Sequence, residues 1–486
     1  MEIGLLIHFF RIHQDFSKDI HMLVSDADAR ELVHRLVAEN CGINLHVYCK
    51  DKAALKKIRK AQDRAENVGA DNRITYGEPD ELLRCESIGT LVFDERIDYR
   101  LILELAGKKP QAVVGLMRGT NVSYMQLWEA CMASVQYVYI RCLMNNTRIE
   151  VFDWKRGVYE KELSVIFPVY KVEAYLEKCI RSVTAWKAPY VEFLFVNDGS
   201  PDGSRKLLAE YAKKDPRIKI IDKENGGCAS ARQLGLERAV GRYVGFIDPD
   251  DFIEADMFRQ LLGRAMLGGY ELCYCGYNEY IESTGQIIPI KDVLEGDYAW
   301  GISERRLIQK LIINQRVAIW RGIYRRDFIE QNKISFVTSL RRFDDLPFMV
   351  EVCAKARTAV ALNQNLYYYR IGRPGQDVSC TDDRLYVHFD IFEHLDAIMD
   401  EMGEQRLKDY LQVRKLHTHL YAMRIIEDKY LKEYAERARK DLKRNAGVLR
   451  TLISIWRWSN RSEMRDYLRI MSGRTRAYRK GRRAEA

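Results

Sequence analysis

Between residues 161 and 251 short apolar runs alternate with segments of helical spacing, and most runs end abruptly in charged or turn-forming residues. No other feature restricts the fold as strongly. Residues 163–167, 191–196, 218–221 and 243–247 are short runs of the buried-strand type. Between the first two, residues 172–186 place Tyr175, Leu176, Cys179, Ile180 and Val183 on one helical side. Further helical spacing occurs near 204–213 and around Arg232. Strands alternating with helices predict right-handed crossovers and a parallel sheet. Ligands of such sheets bind beyond the carboxyl ends of the strands. Pro168-Val169-Tyr170, Asp198-Gly199-Ser200 and Asp248-Pro249-Asp250-Asp251 all fall there.

Unpaired carboxylates are expensive to bury, so the aspartate cluster after 243–247 is expected at a strand mouth facing water or a cation. Hard oxygen ligands one residue apart suit Mg²⁺ or Mn²⁺, which keep several waters and bridge to substrate phosphates. The alternative is a polar turn ahead of the helix that starts near Ala255. No histidine occurs between His46 and His388. Neither a histidine base nor a histidine-rich metal site can therefore lie within these motifs, and carboxylates must carry any acid–base work. His388 lies just beyond and reads most simply as a packed or solvated histidine.

Taken in order, Phe167-Pro168-Val169-Tyr170 with Glu173-x-Tyr175-Leu176, Asn197-Asp198-Gly199-Ser200, Gly226-Gly227 with Ala231-Arg232, and Asp248-x-Asp250-Asp251 resemble the family 2 glycosyltransferases. These are nucleotide-sugar-dependent enzymes of the GT-A type, and the resemblance covers about residues 161–370. It implies an α/β protein with a Rossmann-like GT-A core and a mostly parallel sheet. It also implies a donor site of Pro168, Tyr170, Glu173, Asp198, Arg232, Asp248 and Asp250. Tyr170 would stack on the base above a turn shaped by Pro168, and Asp198 would accept from a base N–H, uracil being usual. Arg232 would meet the donor's phosphate or base, where a guanidinium fork is useful. Asp248 and Asp250 would reach the ribose and a divalent cation, Mn²⁺ or Mg²⁺, that neutralises the leaving diphosphate. The structural alternatives are a packed Tyr170, a helix-capping Asp198 and an Arg232 paired with an acidic neighbour.

Asp344-Asp345-Leu346-Pro347-Phe348 opens a helix towards Lys355 and is similar to the family's Glu-Asp-x-x-Phe signature. That resemblance places the base for the acceptor hydroxyl at Asp345, with Asp344 where Glu is usual. Pro347 falls in the first helical turn, where proline is tolerated; an N-cap is the alternative role for these aspartates. Gln233 follows Arg232 where the family has Asn. Trp320-Arg321-x-x-Tyr324-Arg325-Arg326 and Leu366-Tyr367-Tyr368-Tyr369-Arg370 resemble the family's acceptor-side half. They put Trp320 and Arg370 at an acceptor cleft, an ordinary edge strand with core aromatics being the alternative. The function implied is inverting transfer of a sugar from a nucleoside-diphosphate sugar, UDP being expected, to a glycan or lipid-linked glycan hydroxyl in surface polysaccharide synthesis. The alternatives are a non-catalytic nucleotide-sugar-binding or scaffold protein of a glycan assembly, and a processive polysaccharide polymerase.

With 486 residues, two or three domains are expected: an accessory α/β domain over 1–155, the GT-A domain over 161–375 and a helical basic region over 380–486. In the first, residues 22–25, 45–48, 90–93 and 112–116 read as strands, with helical patterns at 27–39 and 52–65. It lacks a Gly-x-Gly-x-x-Gly run; acceptor binding, assembly and a decayed catalytic unit all remain open. No run of 18 apolar residues is present to span a bilayer. The apolar start at 4–10 is broken too soon, by Arg11, His13 and Asp15, for a signal peptide. Eleven scattered cysteines without a Cys-x-x-Cys pair point to a reducing cytoplasm.

Residues 401–486 hold 23 Lys+Arg against 11 Asp+Glu, whereas the rest of the chain holds 55 against 58. The excess positive charge is thus confined to the C-terminal region. There Val448, Leu449, Leu452, Ile453, Ile455, Trp456, Tyr467, Ile470 and Met471 share one helical face. Arg450, Arg457, Arg461, Arg465 and Arg469 lie roughly opposite, with Met464 and Leu468 breaking the pattern. A basic amphipathic helix of this kind could make peripheral contact, through 447–486, with the inner face of a plasma membrane. The alternative is a helix packed on the protein with a solvated charged face. No recognition motif supports nucleic-acid binding.

Overall fold

Every strand-like run named above pairs into a ladder, and the computed structural model resolves them into two sheets. It describes residues 19–24, 33, 44–62, 73–85, 90–94, 112–117, 136–142, 149–155, 160–291, 305–314, 318–340, 342–373, 380–444 and 447–473. The chain divides into two units, residues 1–159 with 263–269 and residues 160–262 with 270–486.

The first unit contains β1 (Asp19–Leu23), β2 (Asn44–Tyr48), α1 (Lys52–Gln62), β3 (Arg73–Gly77) and α2 (Pro79–Leu83). β4 (Thr90–Asp94), β5 (Ala112–Met117), β6 (Gln136–Cys142) and β7 (Ile149–Lys155) follow. The sheet order is β3-β2-β1-β4-β5-β6-β7, parallel throughout except for the antiparallel β6–β7 pair. Sequence reading missed β3, β6 and β7. β3, with Arg73, Thr75 and Gly77 in its five residues, is too polar to stand out, and β6 and β7 pair as a hairpin that breaks the strand–helix rhythm. The helix expected at 27–39 lies outside the described residues, apart from helical Val33.

The second unit begins with β8 (Lys161–Val169), α3 (Glu173–Thr184), β9 (Val191–Asp198), α4 (Ser204–Ala212) and β10 (Ile218–Lys223). α5 (Cys228–Arg238), β11 (Gly241–Phe246) and β12 (Phe252–Ile253) continue it, and α6 (Met257–Gly268) bridges the sequence to β13 (Leu272–Ile281). Next come β14 (Ile287–Ile290), α7 (Arg305–Asn314), β15 (Gly322–Arg325), α8 (Arg326–Gln331), α9 (Asp345–Lys355) and β16 (Ala359–Ile371). Five helices end the described chain: α10 (Val387–Met402), α11 (Gln405–Ile425), α12 (Asp428–Arg444), α13 (Gly447–Trp458) and α14 (Arg461–Met471).

The nine-stranded sheet runs β10-β9-β8-β11-β15-β13-β16-β12, with β14 on the side of β13. Its β10-β9-β8-β11 half is parallel; β15 enters antiparallel between β11 and β13. All of β9 is buried, as expected of a strand covered on both faces and therefore written as an unbroken apolar run. Phe246, Phe336 and Phe348 pack together, with centroids 5.3 Å apart for Phe246–Phe336 and 4.5 Å for Phe336–Phe348. That cluster pins α9 to the end of β11 and so brings its first residue, Asp345, towards the strand that delivers Asp248.

Within the helical region Lys415 is fully buried between Asp396 at 2.7 Å and Asp441 at 2.9 Å. His419 bonds both Asp441 at 2.9 Å and the hydroxyl of Tyr434 at 3.0 Å. These charges are paired and hydrogen-bonded, the condition for burying them at all. The single amphipathic face expected in the tail is divided. The chain breaks at Ser459-Asn460, where the Asn460 side chain caps α14 by accepting from the Glu463 N–H at 3.0 Å. Ile455, Tyr467 and Ile470 pack inward, while Leu449 and Trp456 are each 74% exposed. Residues 474–486 lie outside the described chain. Among the described residues no helix is long and apolar enough to cross a membrane.

Candidate active site

The parallel strands deliver their polar ends to one cavity of about 870 Å³. Pro168, Tyr170, Asp198, Arg232, Asp248, Asp250, Trp320 and Asp345 all line it, so eight of the ten residues expected from sequence converge there. Glu173 and Arg370 do not. Glu173 accepts from the Gly203 N–H at 2.8 Å and braces the loop after β9.

Asp198, at the end of β9, is buried and already engaged. Its carboxylate accepts from the Gly226 and Gly227 N–H groups at 2.9 and 2.8 Å and from Lys223 Nζ at 2.6 Å. Gly227 has φ 89° and ψ 168°, a region open essentially to glycine alone. The Gly226-Gly227 motif thus exists to turn its N–H groups onto Asp198 and to start α5. Tyr170 is 41% exposed at the rim, whereas Trp320 is buried and stacks on Tyr367 with centroids 4.1 Å apart.

Arg232, on the first turns of α5, is the hub. Its guanidinium meets Asp248 at 2.5 Å, Asp344 at 2.7 Å and Asp345 at 2.6 Å. One side chain therefore ties Asp248 to the pair that opens α9. Asp344 spends its carboxylate on this bond and makes no side-chain cap to α9. Burial pushes the Asp345 carboxyl up to about 7; Arg232 holds it down, and Asp344 and Asp248 push it further up. A carboxylate balanced near neutrality is what a general base needs, because it can both take and release a proton. Gln233 is held elsewhere, accepting from the Phe336 N–H at 3.0 Å.

The three clustered aspartates have separate fates. Asp248 and Asp250 face the cavity, Asp248 paired with Arg232 and Asp250 with Arg373. Burial raises the Asp250 carboxyl, against the pull of Arg373. Asp251 turns inward, accepting from the Tyr367 hydroxyl at 2.6 Å and the Arg370 N–H at 2.7 Å. Arg370, expected at the acceptor cleft, instead lies behind this turn. It donates to the Asp250 carbonyl at 2.6 Å and pairs with Glu282. A guanidinium that can reach both a main-chain oxygen and a carboxylate on the sheet has no reason to turn into the cavity.

Asp248 and Asp250 fit a divalent cation by donor type, since hard cations take carboxylate oxygens and complete their shell with water and phosphate. Among the described residues no group of three or more His, Cys, Asp or Glu gathers into a ready-made site. The cation would therefore depend on a diphosphate for further ligands, and Arg232 and Arg373 would have to yield. His388 lines the cavity as a neutral, packed histidine: it bonds the Tyr434 hydroxyl at 3.0 Å, and burial lowers its pKa to about 3. Sequence reading missed Arg373, for which the sequence carries no signal. It also missed Arg414, His417, Thr418 and Tyr421 of α11, which line the same cavity. Their spacing on one face of a mostly buried helix was the available clue.

A half-parallel sheet with carboxylates at its strand ends and a facing helix that offers another is a GT-A-like arrangement. A comparable solved structure is Staphylococcus aureus TarS 1-349 in complex with UDP-GlcNAc, with TM-score 0.50 and 20% identity over 66% of this chain and 92% of that one. Residues 164–332 match the model of Glycosyl transferase family 2. Over that segment the chain is similar to glycosyltransferase family 2. The uncharacterized glycosyltransferase EpsJ of Bacillus subtilis (strain 168) is 33% identical over 210 residues, 43% of this chain and 60% of EpsJ. The putative teichuronic acid biosynthesis glycosyltransferase TuaG of the same strain is 39% identical over 117 residues, 24% of this chain and 46% of TuaG. The chain thus spans about 60% of EpsJ and about half of TuaG.

Proposed function

We propose that this chain is an inverting, metal-assisted glycosyltransferase that moves a sugar from a UDP-sugar to a hydroxyl of a glycan or lipid-linked glycan in surface polysaccharide synthesis. One observation carries the reading: Asp345, Asp248 and Asp250 converge on one cavity, with Arg232 bridging its two sides. Tyr170 stacks on the base above Pro168, and Asp198 holds the loop against which the base lies. Asp345 takes the proton of the acceptor hydroxyl as its oxygen bonds the anomeric carbon. The bond from that carbon to the diphosphate breaks, and the electron pair leaves with the nucleotide. A cation on Asp248 and Asp250 would neutralise the charge that builds on the diphosphate. The likeness to TuaG, whose name places it in teichuronic acid biosynthesis, supports a cell-surface polymer as acceptor.

Titration of the full chain with a panel of nucleotide sugars, with and without Mn²⁺, tests this. Metal-dependent binding of one UDP-sugar is expected, and Asp250→Ala should abolish the metal dependence. If a folded sample binds no donor, the reading fails and the scaffold alternative takes its place.

A peripheral membrane setting belongs to the same proposal. Leu449, Ile453 and Trp456 form an exposed stripe on α13, with exposed Arg450 and Arg457 beside it. Six more basic residues follow between 474 and 483. Apolar insertion plus basic residues is the two-signal form of interfacial binding, each cation near an anionic surface adding about 1 kcal/mol. Flotation with phosphatidylglycerol vesicles is expected at low salt, and Trp456→Ser should weaken it. Equal recovery with neutral and anionic vesicles would count against this setting.

A further inference from the structure

α11 is buried on nearly all sides: Leu407, Leu411, Leu416, Leu420 and Met423 are packed, as are the polar Lys415 and His419. One stripe of this helix breaks the pattern. Arg414, His417, Thr418 and Tyr421 recur at intervals of three, one and three residues, the spacing of a single helical face, and all four line the cavity that holds Asp345. Two side chains of the stripe are held in place. Arg414 donates to the Ile312 and Ile313 carbonyls at 2.5 and 3.0 Å, and His417 bonds Glu463 of α14 at 2.7 Å. Tyr421 is 42% exposed although Leu420, Ala422 and Met423 beside it are buried.

The stripe thus presents a half-exposed ring beside a hydroxyl and an oriented imidazole at the cavity wall. It suits a ligand with an apolar face and a polar edge. A sugar ring has both: axial C–H groups over one face and hydroxyls around its rim. The stripe also lies beyond the matched family segment of 164–332, on helices that the donor motifs do not need. We infer that this face of α11 is an acceptor subsite, which stacks a terminal acceptor sugar on Tyr421 and takes its hydroxyls on Thr418 and His417. The sugar is thereby presented to Asp345. The C-terminal helices thus contribute substrate selection as well as stability.

This rests on the glycosyltransferase reading, and the test separates the two. The full chain, saturated with UDP and Mn²⁺, is titrated with methyl glycosides of glucose, galactose, N-acetylglucosamine and glucuronic acid while ligand-observed NMR reads binding. At least one glycoside is expected to bind. Its affinity should fall about tenfold in Tyr421→Ala, the loss of a ~1.4 kcal/mol contact, and recover in Tyr421→Trp. UDP affinity should stay at the wild-type level in both variants. Thr418→Val, which keeps side-chain size, should weaken the same glycoside without a change in melting temperature. UDP binding with no glycoside bound, or with glycoside affinity indifferent to Tyr421 and Thr418, would overturn the subsite and leave the donor reading standing. Absence of UDP binding as well would bring down both.

Discussion

Asp345→Asn is expected to lower the rate of sugar transfer by about 10²–10⁴-fold, the usual worth of a positioned base, while UDP-sugar binding stays near the wild-type value. The amide keeps the size of the carboxylate and can still face Arg232, which retains Asp248 and Asp344 as partners. Its nitrogen cannot accept the hydroxyl proton. The same residue sets the pH profile. With the Asp345 carboxyl near 7, the competent ionised form is scarce below that pH. The ratio kcat/KM should therefore rise about tenfold per unit on the acid side and level off above neutrality. In Asp345→Asn that limb should disappear from the residual activity. A parallel loss of donor binding and turnover would instead make Asp345 part of the donor site.

Arg232→Ala should be the most destabilising single change in the second unit, by about 3–5 kcal/mol, because it removes the shared counter-charge of three clustered carboxylates. The deficit carries a pH signature. Without the guanidinium that holds it down, the folded-state pKa of Asp345 rises further above that of the unfolded chain. A carboxyl whose folded pKa is raised contributes stability below its unfolded pKa and loses it as pH rises through the folded value. The gap between variant and wild type should thus widen from pH 5 to pH 8 in urea unfolding. Arg232→Lys should recover part of it with one charge but not the fork. A gap that is constant with pH would mean that the arginine contributes packing alone.

The strand-end half of the candidate site was legible for a physical reason. Parallel strands buried on both faces must be written as short apolar runs, and the residues that end them, Pro168 to Tyr170, Asp198 and Asp248 to Asp250, must leave the sheet on the same rim. Local pattern and topology together therefore located them. Arg370 shows the limit. Its place in Leu366-Tyr367-Tyr368-Tyr369-Arg370 set it on a strand, but which way it turned depended on Glu282 and the Asp250 carbonyl, both far away in sequence. Likewise Asp251 is indistinguishable from Asp248 and Asp250 by type. The Tyr367 hydroxyl, 2.6 Å from it, and the Arg370 N–H, at 2.7 Å, make it an anchor and leave the other two for the cavity.

From the sequence alone came the α/β class, the order of the strand-end motifs, Asp345 as the helix-opening carboxylate and the basic character of the C-terminal region. All of these are local in origin, being periodicities or chemical types within a few residues of one another. The tertiary structure alone decided three things. Arg232 joins Asp248 to Asp345, the latter 113 residues along the chain from the arginine. Arg373 covers Asp250. α11, read beforehand as part of a separate tail, supplies a wall of the active cavity. Each is a contact between distant segments, set by how helices and sheet pack rather than by any pattern that neighbouring residues can encode.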